Sequence, residues 1–399
     1  MSPSLRGIKG EEKSGGRIKT IPYGCQHITE EDIAAVVDVL KSDYLTQGPK
    51  VGEFEEAFAS YVGAKYAVAV ASGTAALHLS NLVMGIQHGQ KVLTTPITFA
   101  ATANSALYCG GEVDFIDIDP DTYLMDLDKL EDKLAASPKG AYAGVIAVDF
   151  AGLPVDTERL REIADKYELW IIEDACHAPG GYFIDSKNRK IKCGSNVYTD
   201  LTCFSFHPVK HIACGEGGMI TTNDENLYHR LLNLRTHGIS KENMQQNDGG
   251  WYYEMQELGF NYRLPDINAA LGNSQLKNAE ERLQRRKEIA TNYDRAFHSF
   301  DKIKVQSVPR DVSHAYHLYV IRVADRKDLY NHLHHKGIYA QVHYVPIHIL
   351  PYYKKRYGAQ SFPKADVYYY ECMSLPMYPT ISEEEQKYII NQVLSFYTY

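Results

Sequence analysis

A lysine near the middle of the chain is the first candidate for covalent chemistry. Lys210 follows the apolar run Thr202–Phe206 and precedes the glycine-rich segment Gly215–Gly218. Partial burial would lower the pKa of such an amine and let it form an imine with an aldehyde. Ser205, five residues earlier, could donate a hydrogen bond to a phosphate. Taken alone, a lysine is far more often a solvated surface group.

An aspartate upstream of this lysine could act on a heterocyclic ring. Asp174 comes directly after the predicted strand Leu169–Glu173, at the strand end where open α/β sheets bind ligands. Its carboxylate could hydrogen-bond a protonated ring nitrogen, and that charge would make a pyridine ring an electron sink. Strand alternation sends the neighbouring Glu173 to the opposite face. Asp174 could equally cap the next helix.

A third segment, Ser72–His78, follows a predicted strand and opens a helix. Free amides and the helix dipole converge at such a turn, which suits a phosphate. The same residues also fit an ordinary capped helix start, and the motif is weak by itself. The order of this segment, Asp174 and Lys210 along the chain is more specific than the segment alone. Asp174 lies about a hundred residues after it and Lys210 about thirty-five residues after Asp174. This order is characteristic of fold-type I pyridoxal-phosphate (PLP) enzymes.

The elements that must position these residues alternate between apolar runs and helical patterns. Continuous runs are typical of strands buried on both faces of a mostly parallel sheet. The runs are Tyr66–Ala71, Lys91–Thr94, Val113–Ile118, Val145–Asp149, Leu169–Glu173, Thr202–Phe206 and Gly218–Thr222. The helices predicted between them are Thr74–Met84, Ala100–Tyr108 and Thr157–Tyr167. We therefore expect an α/β fold with helices on both sides of the sheet.

Three segments divide the chain. Residues 1–20 are polar and predict a flexible extension, residues 21–270 a large α/β domain, and residues 271–399 a smaller α+β domain. Thr29 is a candidate N-cap for a helix through Leu40. The C-terminal pattern predicts helices at Leu276–His298 and near Lys327–Lys336, and strands at His317–Val323 and Tyr339–His343.

Bulk properties exclude several classes of function. The chain has 399 residues and a formal charge of -8, which gives no electrostatic case for binding nucleic acid or an anionic membrane. No window approaches the length of a membrane span, and the seven cysteines lack a Cys-x-x-Cys pair. We expect a cytoplasmic protein with reduced thiols. His332, His334 and His335 fall in a polar helix, so no metal site is predicted there.

From about Ile21 to the C-terminus the sequence resembles the DegT/DnrJ/EryC1/StrS sugar-nucleotide aminotransferases. Together the matching segments are very specific. They are Tyr44–Pro49 with Phe54-Glu55, Ser72–His78, Pro96–Asn104, Glu173–His177, Phe204–Lys210, Gly215–Gly218 and Gly259–Arg263. The resemblance implies the PLP-dependent transferase fold type I (aspartate aminotransferase-like), with pyridoxamine 5'-phosphate as an intermediate form of the cofactor.

The resemblance also implies roles for individual residues. Lys210 would bond to the cofactor and move the proton, Asp174 would pair with the pyridine nitrogen, and His177 would lie near the ring's phenolic oxygen. Phe99 would stack on the ring. The phosphate would be held by Gly73, Thr74, Ala75 and Ser205. Asn261 would reach a phosphate in the neighbouring subunit, because family members build each site across a homodimer interface.

One feature leaves a related reaction open. PLP-dependent sugar dehydrases look alike but place histidine where the aminotransferases have lysine, and here His211 follows Lys210. Counting back from Gly215–Gly218 puts Lys210 at the imine position, which favours transamination. A non-catalytic regulator with the same fold is a further alternative, although such a protein has little reason to keep both Lys210 and Asp174.

Three segments resemble a narrower group of aminotransferases and so indicate a substrate. Segments Leu93–Asn104, Val148–Gly152 and Ala340–Ile347 resemble the aminotransferases of the pseudaminic-acid pathway. Those enzymes aminate C4 of a UDP-linked 4-keto-6-deoxy-N-acetylhexosamine with glutamate as the donor. His343 and Tyr344 would then lie near the nucleotide-sugar, although they could simply belong to a strand of the small domain.

Overall fold

The computed structural model describes residues 20–241, 244–245 and 249–398. Its strands, in chain order, are β1 Tyr66–Val70, β2 Lys91–Thr94, β3 Glu112–Phe115, β4 Tyr142–Val148, β5 Trp170–Asp174, β6 Tyr182–Ile184, β7 Lys190–Lys192, β8 Leu201–Ser205, β9 Gly218–Thr222, β10 Ile239–Ser240, β11 Glu254–Met255, β12 Lys304–Val305, β13 Val312–Ser313, β14 Tyr319–Arg322 and β15 Cys372–Leu375.

The helices follow the same chain order. They are α1 Glu30–Leu40, α2 Pro49–Val62, α3 Gly73–Val83, α4 Ala100–Tyr108, α5 Leu127–Ala135, α6 Thr157–Tyr167, α7 Glu225–Leu234, α8 Asp266–Lys277, α9 Ala279–Phe297, α10 Arg326–His335, α11 Pro351–Tyr357, α12 Pro363–Glu371 and α13 Glu383–Ser395. Short 3-10 turns occur at Phe150–Gly152 and Ile347–Ile349. None of the helices in the described ranges has the length and apolar character needed to cross a membrane.

A seven-stranded sheet forms the centre of the large domain, in the order β1-β9-β8-β5-β4-β2-β3. Strands β3, β2, β4, β5 and β8 are parallel neighbours, and β9 runs antiparallel to both β8 and β1. The seven predicted apolar runs coincide with these seven strands to within a few residues. The predicted α/β class with a mostly parallel sheet is confirmed. Because β4, β5 and β8 are parallel, residues that follow them meet at one edge of the sheet.

Local sequence explains where the helices beside this edge begin. Ser72 caps α3 by accepting a hydrogen bond from the Ala75 amide at 3.1 Å. Thr29 caps α1 in a reciprocal capping box with Asp32, as its position before the acidic first turn predicts. The predicted helices after the first, second and fourth runs correspond to α3, α4 and α6.

The C-terminal region forms a second, smaller unit. Strands β12, β14 and β15 make an antiparallel sheet, and helices α9, α10 and α13 contribute to its apolar core. Ile21, near the other end of the chain, is buried in this core. The Ile21 amide donates to Gly337 O at 2.8 Å, and the Tyr339 amide donates to Ile21 O at 2.9 Å.

A small sheet and shared packing join the two units. Strand β13 pairs with β6, and β6 pairs with β7, so a C-terminal strand extends a hairpin of the large domain. Leu318 and Val320 are buried in the large domain's main apolar cluster. This hairpin was not anticipated, because its strands are short and half-buried.

The structure differs from the sequence-based expectations at several places. The strand predicted at Tyr339–His343 is wrong: only Gln341 makes an isolated bridge, to Ser374, and the rest is extended loop. The helix predicted at Leu276–His298 is divided at Asn278, where α8 ends and α9 begins. Residue 270 lies inside α8, which packs against α1 and α2. The predicted flexible extension lies outside the described residues except for Thr20.

Candidate active site

A cavity of about 410 Å³ opens at the carboxyl edge of the central sheet. It contains most of the predicted site residues, contributed by α3, the loops after β5 and β8, and the segment before α11. Those in its wall are Gly73, Thr74, Phe99, Asp174, His177, Ser205, Lys210, His343 and Tyr344. The fold therefore brings together side chains separated by more than two hundred residues in the sequence. Ala75 and Asn261 lie outside this wall.

Asp174 ends β5 and is only 6% exposed. Thr102 on α4 donates a hydrogen bond to Asp174 Oδ2 at 2.7 Å, and the Cys176 amide donates to Oδ1 at 3.3 Å. The Thr102 hydroxyl has a single proton, so Thr98, whose hydroxyl is 2.7 Å away, must donate to Thr102. The two threonines form a relay that fixes the plane of the carboxylate. Sequence reasoning missed this relay, although a threonine pair four residues apart at a helix start was its visible signal.

Lys210 follows β8 and lines the same cavity as this carboxylate. Its side chain is partly accessible from the cavity, but the surrounding protein desolvates the amine and lowers its pKa. Cys176 and Asp174 act in the opposite direction and favour the charged amine. Desolvation is the larger effect, so more of the amine is neutral near pH 7 than in a free lysine. A neutral amine is the form that attacks an aldehyde carbon.

The first turn of α3 faces the end of β8 at close range. A Cβ on Gly73 would lie 2.8 Å from Ser205 Cβ and 3.2 Å from Ser205 Oγ, so only glycine allows this approach. The hydroxyl of Ser205 and the first amides of α3 thus share one corner of the cavity. The Ala75 amide is already bonded to Ser72, which leaves Gly73 and Thr74 as the available backbone donors for an anion.

His177 is held in one tautomer by the backbone behind it. The Ala151 amide donates to His177 Nδ1 at 3.3 Å, so the ring proton lies on Nε2 and donates to the Tyr344 hydroxyl at 3.0 Å. Burial, followed by the nearby Lys210 charge, holds the pKa of His177 well below its usual value. His177 is therefore a neutral hydrogen-bond donor. Because the Tyr344 hydroxyl accepts this bond, its own proton remains available for a bond to another acceptor.

The far wall includes two residues that sequence reasoning did not select, Tyr23 and His317. The Tyr23 ring lies 5.4 Å from that of His343, and the His317 ring lies 4.4 Å from that of His177. His343 Nδ1 is 2.9 Å from Ser374 Oγ, and burial lowers its pKa to about 3. Tyr23 and His317 carry no local motif, because only the packing of the small unit brings them here.

Phe99 and Asn261, two predicted cofactor contacts, are exposed, whereas His211 is buried. Phe99 precedes α4 and is 60% exposed, which leaves a free aromatic face at the cavity. Asn261 is exposed and forms an isolated bridge with Thr236, away from this chain's own cavity. His211 is buried, with its Nε2 2.8 Å from Ala315 O, and it is absent from the cavity wall.

The cavity therefore offers what a phosphorylated pyridine aldehyde requires. One corner supplies phosphate donors, Asp174 supplies an acceptor for a protonated ring nitrogen, and Lys210 supplies a primary amine. Phe99 supplies a surface for stacking. A partly accessible lysine, a buried aspartate and a corner of free amides line one cavity, and packing alone does not explain the three together.

Comparisons with known proteins agree with this chemistry. The model of the DegT/DnrJ/EryC1/StrS aminotransferase family matches residues 26–394. A UDP-4-amino-4,6-dideoxy-N-acetyl-beta-L-altrosamine transaminase of Campylobacter jejuni is 39% identical over 380 residues, covering 94% of this chain and 97% of that protein.

Solved structures give the same result. PseC of Helicobacter pylori, an aminotransferase involved in the biosynthesis of pseudoaminic acid, superposes with a TM-score of 0.86 at 30% identity, covering 95% of this chain and 100% of that one. Spr1654 of Streptococcus pneumoniae, solved in PMP and PLP forms, superposes in its PMP form with a TM-score of 0.87 at 30% identity over 94% of this chain and 98% of that one. This chain belongs to the DegT/DnrJ/EryC1/StrS family and is a PLP-dependent sugar aminotransferase.

Proposed function

We propose that this enzyme transfers the amino group of glutamate to C4 of a UDP-linked 4-keto-6-deoxy-N-acetylhexosamine, in the synthesis of a surface amino-sugar such as pseudaminic acid. The observation that carries this proposal is the full-length similarity to the Campylobacter jejuni transaminase. The presence of Lys210 and Asp174 in the wall of one cavity supports the reaction type.

The residues of the chain would divide the work as follows. When bound, PLP supplies an aldehyde that accepts the amino group and a ring that delocalises electrons. Lys210 Nζ would remove the α-proton of glutamate in the first half-reaction and return a proton to C4 of the sugar in the second. Asp174, which Thr102 orients, would accept a hydrogen bond from the ring nitrogen and so keep that nitrogen protonated.

Binding would use the remaining groups of the wall. Gly73, Thr74 and Ser205 would hold the cofactor phosphate, with Ala75 behind them as part of the same helix turn. Phe99 would cover one face of the ring, and His177 would donate near its phenolic oxygen. His343 and Tyr344 would lie beside the sugar. Asn261, exposed and outside the chain's own cavity, would serve the partner site of a cytoplasmic homodimer.

The experiment that tests the proposal is incubation of the purified enzyme with ¹⁵N-glutamate and UDP- and dTDP-linked 4-keto-6-deoxy sugars. We expect 2-oxoglutarate release and a product that carries ¹⁵N, with the UDP-linked N-acetylated substrate turned over fastest. A product that has lost oxygen without gaining nitrogen would indicate a dehydrase instead. Bound cofactor without turnover of any donor would indicate a regulator.

A further inference from the structure

Two buried carboxyl groups lie directly behind the wall that carries Asp174. Asp149 follows β4 and is fully buried, and Glu173, on β5, is 4% exposed. One oxygen of each and the Cys193 sulfur all lie within 4.8 Å of one another. Strand alternation sends Glu173 away from the cavity, so the proposed reaction does not use this group of side chains.

The hydrogen bonds of the two acids are unequal. Glu173 Oε2 accepts from the Thr202 hydroxyl at 2.7 Å and from the Gly194 amide at 3.1 Å. Asp149 Oδ1 accepts from the Val155 amide at 2.9 Å, but Asp149 Oδ2 has no partner although it is buried. None of the partners described for these two carboxyls is a cation. Two ionised carboxylates so close together in the interior would repel each other at a large cost.

We infer that Asp149 and Glu173 hold one proton between them, carried on Asp149 Oδ2 and donated to Glu173, and that this bond positions the turn behind the cofactor. With this proton, Asp149 Oδ2 has a hydrogen-bond partner. The pair then carries one negative charge, on Glu173, which accepts from Thr202 and Gly194. Asp149 faces two titratable groups, Glu173 on β5 and Cys193 after β7. Burial, and then the charge of Glu173, raise the pKa of Asp149 well above its usual value. Burial also raises the pKa of Cys193, so it remains a thiol.

The turn after Asp149 touches two residues of the cofactor site. The Asp149 amide donates to Asp174 O at 3.1 Å, and the Ala151 amide supplies the bond to His177 Nδ1. Gly152 has a φ of +103°, and a Cβ there would lie 2.8 Å from His177 O. Asp149 is therefore a positioning residue: its side chain fixes a turn that sets the tautomer of His177 and supports the end of β5.

A first experiment detects the proton itself in the cofactor-loaded enzyme. We expect the infrared difference spectrum between wild type and Asp149→Asn at pH 8 to show a protonated-carboxyl band that shifts in D₂O. Asp185→Asn is the matched control: burial raises the pKa of Asp185, but hydrogen bonds from Arg189 and Tyr198 outweigh burial and hold that pKa at about 2, so this buried acid should give no such band. Absence of the band in the Asp149→Asn difference, or one equivalent of bound metal in elemental analysis, would overturn the inference.

A second experiment separates positioning from simple stability. The amide of Asp149→Asn can accept from Val155 and donate to Glu173, so kcat should stay within about threefold of wild type and the cofactor absorption maximum should not move. Asp149→Leu fills similar space without those bonds and should lower kcat about tenfold or more, with a shifted maximum. Wild-type behaviour of Asp149→Leu would contradict positioning. A loss in Asp149→Asn as large as in Asp149→Leu would contradict the shared proton.

Discussion

Asp174 and Glu173 are neighbours in sequence, but the end of β5 places their carboxyl groups in two different regions. Asp174 faces the cofactor cavity, where its described hydrogen-bond partners are donors and the nearby amine of Lys210 has a lowered pKa. Glu173 faces the dry interior, where its closest titratable neighbours are another acid and a thiol. The same chemical group thus accepts hydrogen bonds at the edge of the cavity in one region and is half of a proton-sharing pair in the other. Surroundings, and not residue type, decide which role a carboxyl group takes.

Removal of the amine should have the largest effect on the cavity side. Lys210→Ala should lower turnover by at least about ten-thousandfold, because Lys210 is the only lysine among the described residues that line the cavity and its amine would form the covalent bond and move the proton. The variant should still bind pyridoxamine phosphate, measured by absorbance after gel filtration. In wild type, borohydride should fix the cofactor mass on the peptide that contains Lys210. Turnover near the wild-type rate in Lys210→Ala would refute the assignment.

Acid should destabilise the buried histidines at and behind the cavity by several kcal/mol. His177, His211, His314 and His317 are buried, and burial lowers the pKa of each, of His314 to about 3. A histidine that is neutral when folded but protonated when unfolded makes stability fall as pH drops below about 6.5. Each should contribute about 1 kcal/mol of loss per pH unit there.

The acid pair predicts the opposite dependence. The raised pKa of Asp149 stabilises the fold at low pH, and that contribution is lost as pH rises above the unfolded value toward the folded one. Thermal unfolding of the loaded enzyme from pH 5 to pH 9 measures both effects. Asp149→Asn should lose the decline in stability with rising pH and keep the decline below about pH 6.5 that the histidines cause. If stability did not change between pH 7 and pH 5, the neutral state assigned to the histidines would be wrong.

Exchange of either neighbouring acid for its amide tests the comparison directly. Asp174→Asn should lower kcat about a hundredfold, equivalent to about 3 kcal/mol, with a much smaller change in cofactor affinity. Glu173→Gln is the matched control, and its kcat should fall less than about tenfold, because an amide can still bond to Asp149 and Thr202. Equal losses in the two variants would show that the two regions are not functionally distinct.

The smallest predicted effect concerns the threonine relay. Thr102→Val keeps the shape of the side chain but removes one hydrogen bond from Asp174, so kcat should fall about tenfold, or about 1 kcal/mol. Thr94→Val is the control: Thr94 is equally buried but bonds to Ile146 O, away from Asp174. It should reduce thermal stability by a similar amount and leave kcat unchanged. A similar kcat for both variants would exclude an orienting role for the relay.

Short-range pattern allowed much of this cavity to be predicted. The seven strands of the central sheet are continuous apolar runs, and the residues that follow them, Asp174 and Lys210 among them, reach one edge because the strands are parallel. Strand alternation also separated Glu173 from Asp174 correctly. These predictions depend only on periodicity and on the geometry of a parallel sheet.

Residues that depend on long-range packing could not be predicted in this way. Tyr23 and His317 enter the wall only because the small unit packs against the sheet, and neither belongs to a periodic pattern that points there. The wrong strand at Tyr339–His343 has the same origin, since its backbone pairs with Ile21 through Tyr339 and with Ser374 of β15 through Gln341, and neither pairing extends into a ladder. The acid pair could not be predicted, because Asp149 ends an apolar run and nothing in the sequence indicates that its side chain packs beside Glu173.

The pairing of Ile21 with the segment around Gly337 has a consequence for how the enzyme is made. The Met377 amide also bonds to Tyr23 O at 2.9 Å, so Ile21 and Tyr23 are held by residues that leave the ribosome more than three hundred residues later. Contacts of such sequence separation form late. A nascent chain can thus contain Lys210, Asp174 and their whole sheet while the wall bearing Tyr23 is still unformed. We expect loss of the last sixty residues to leave a folded sheet that cannot close around its ligand.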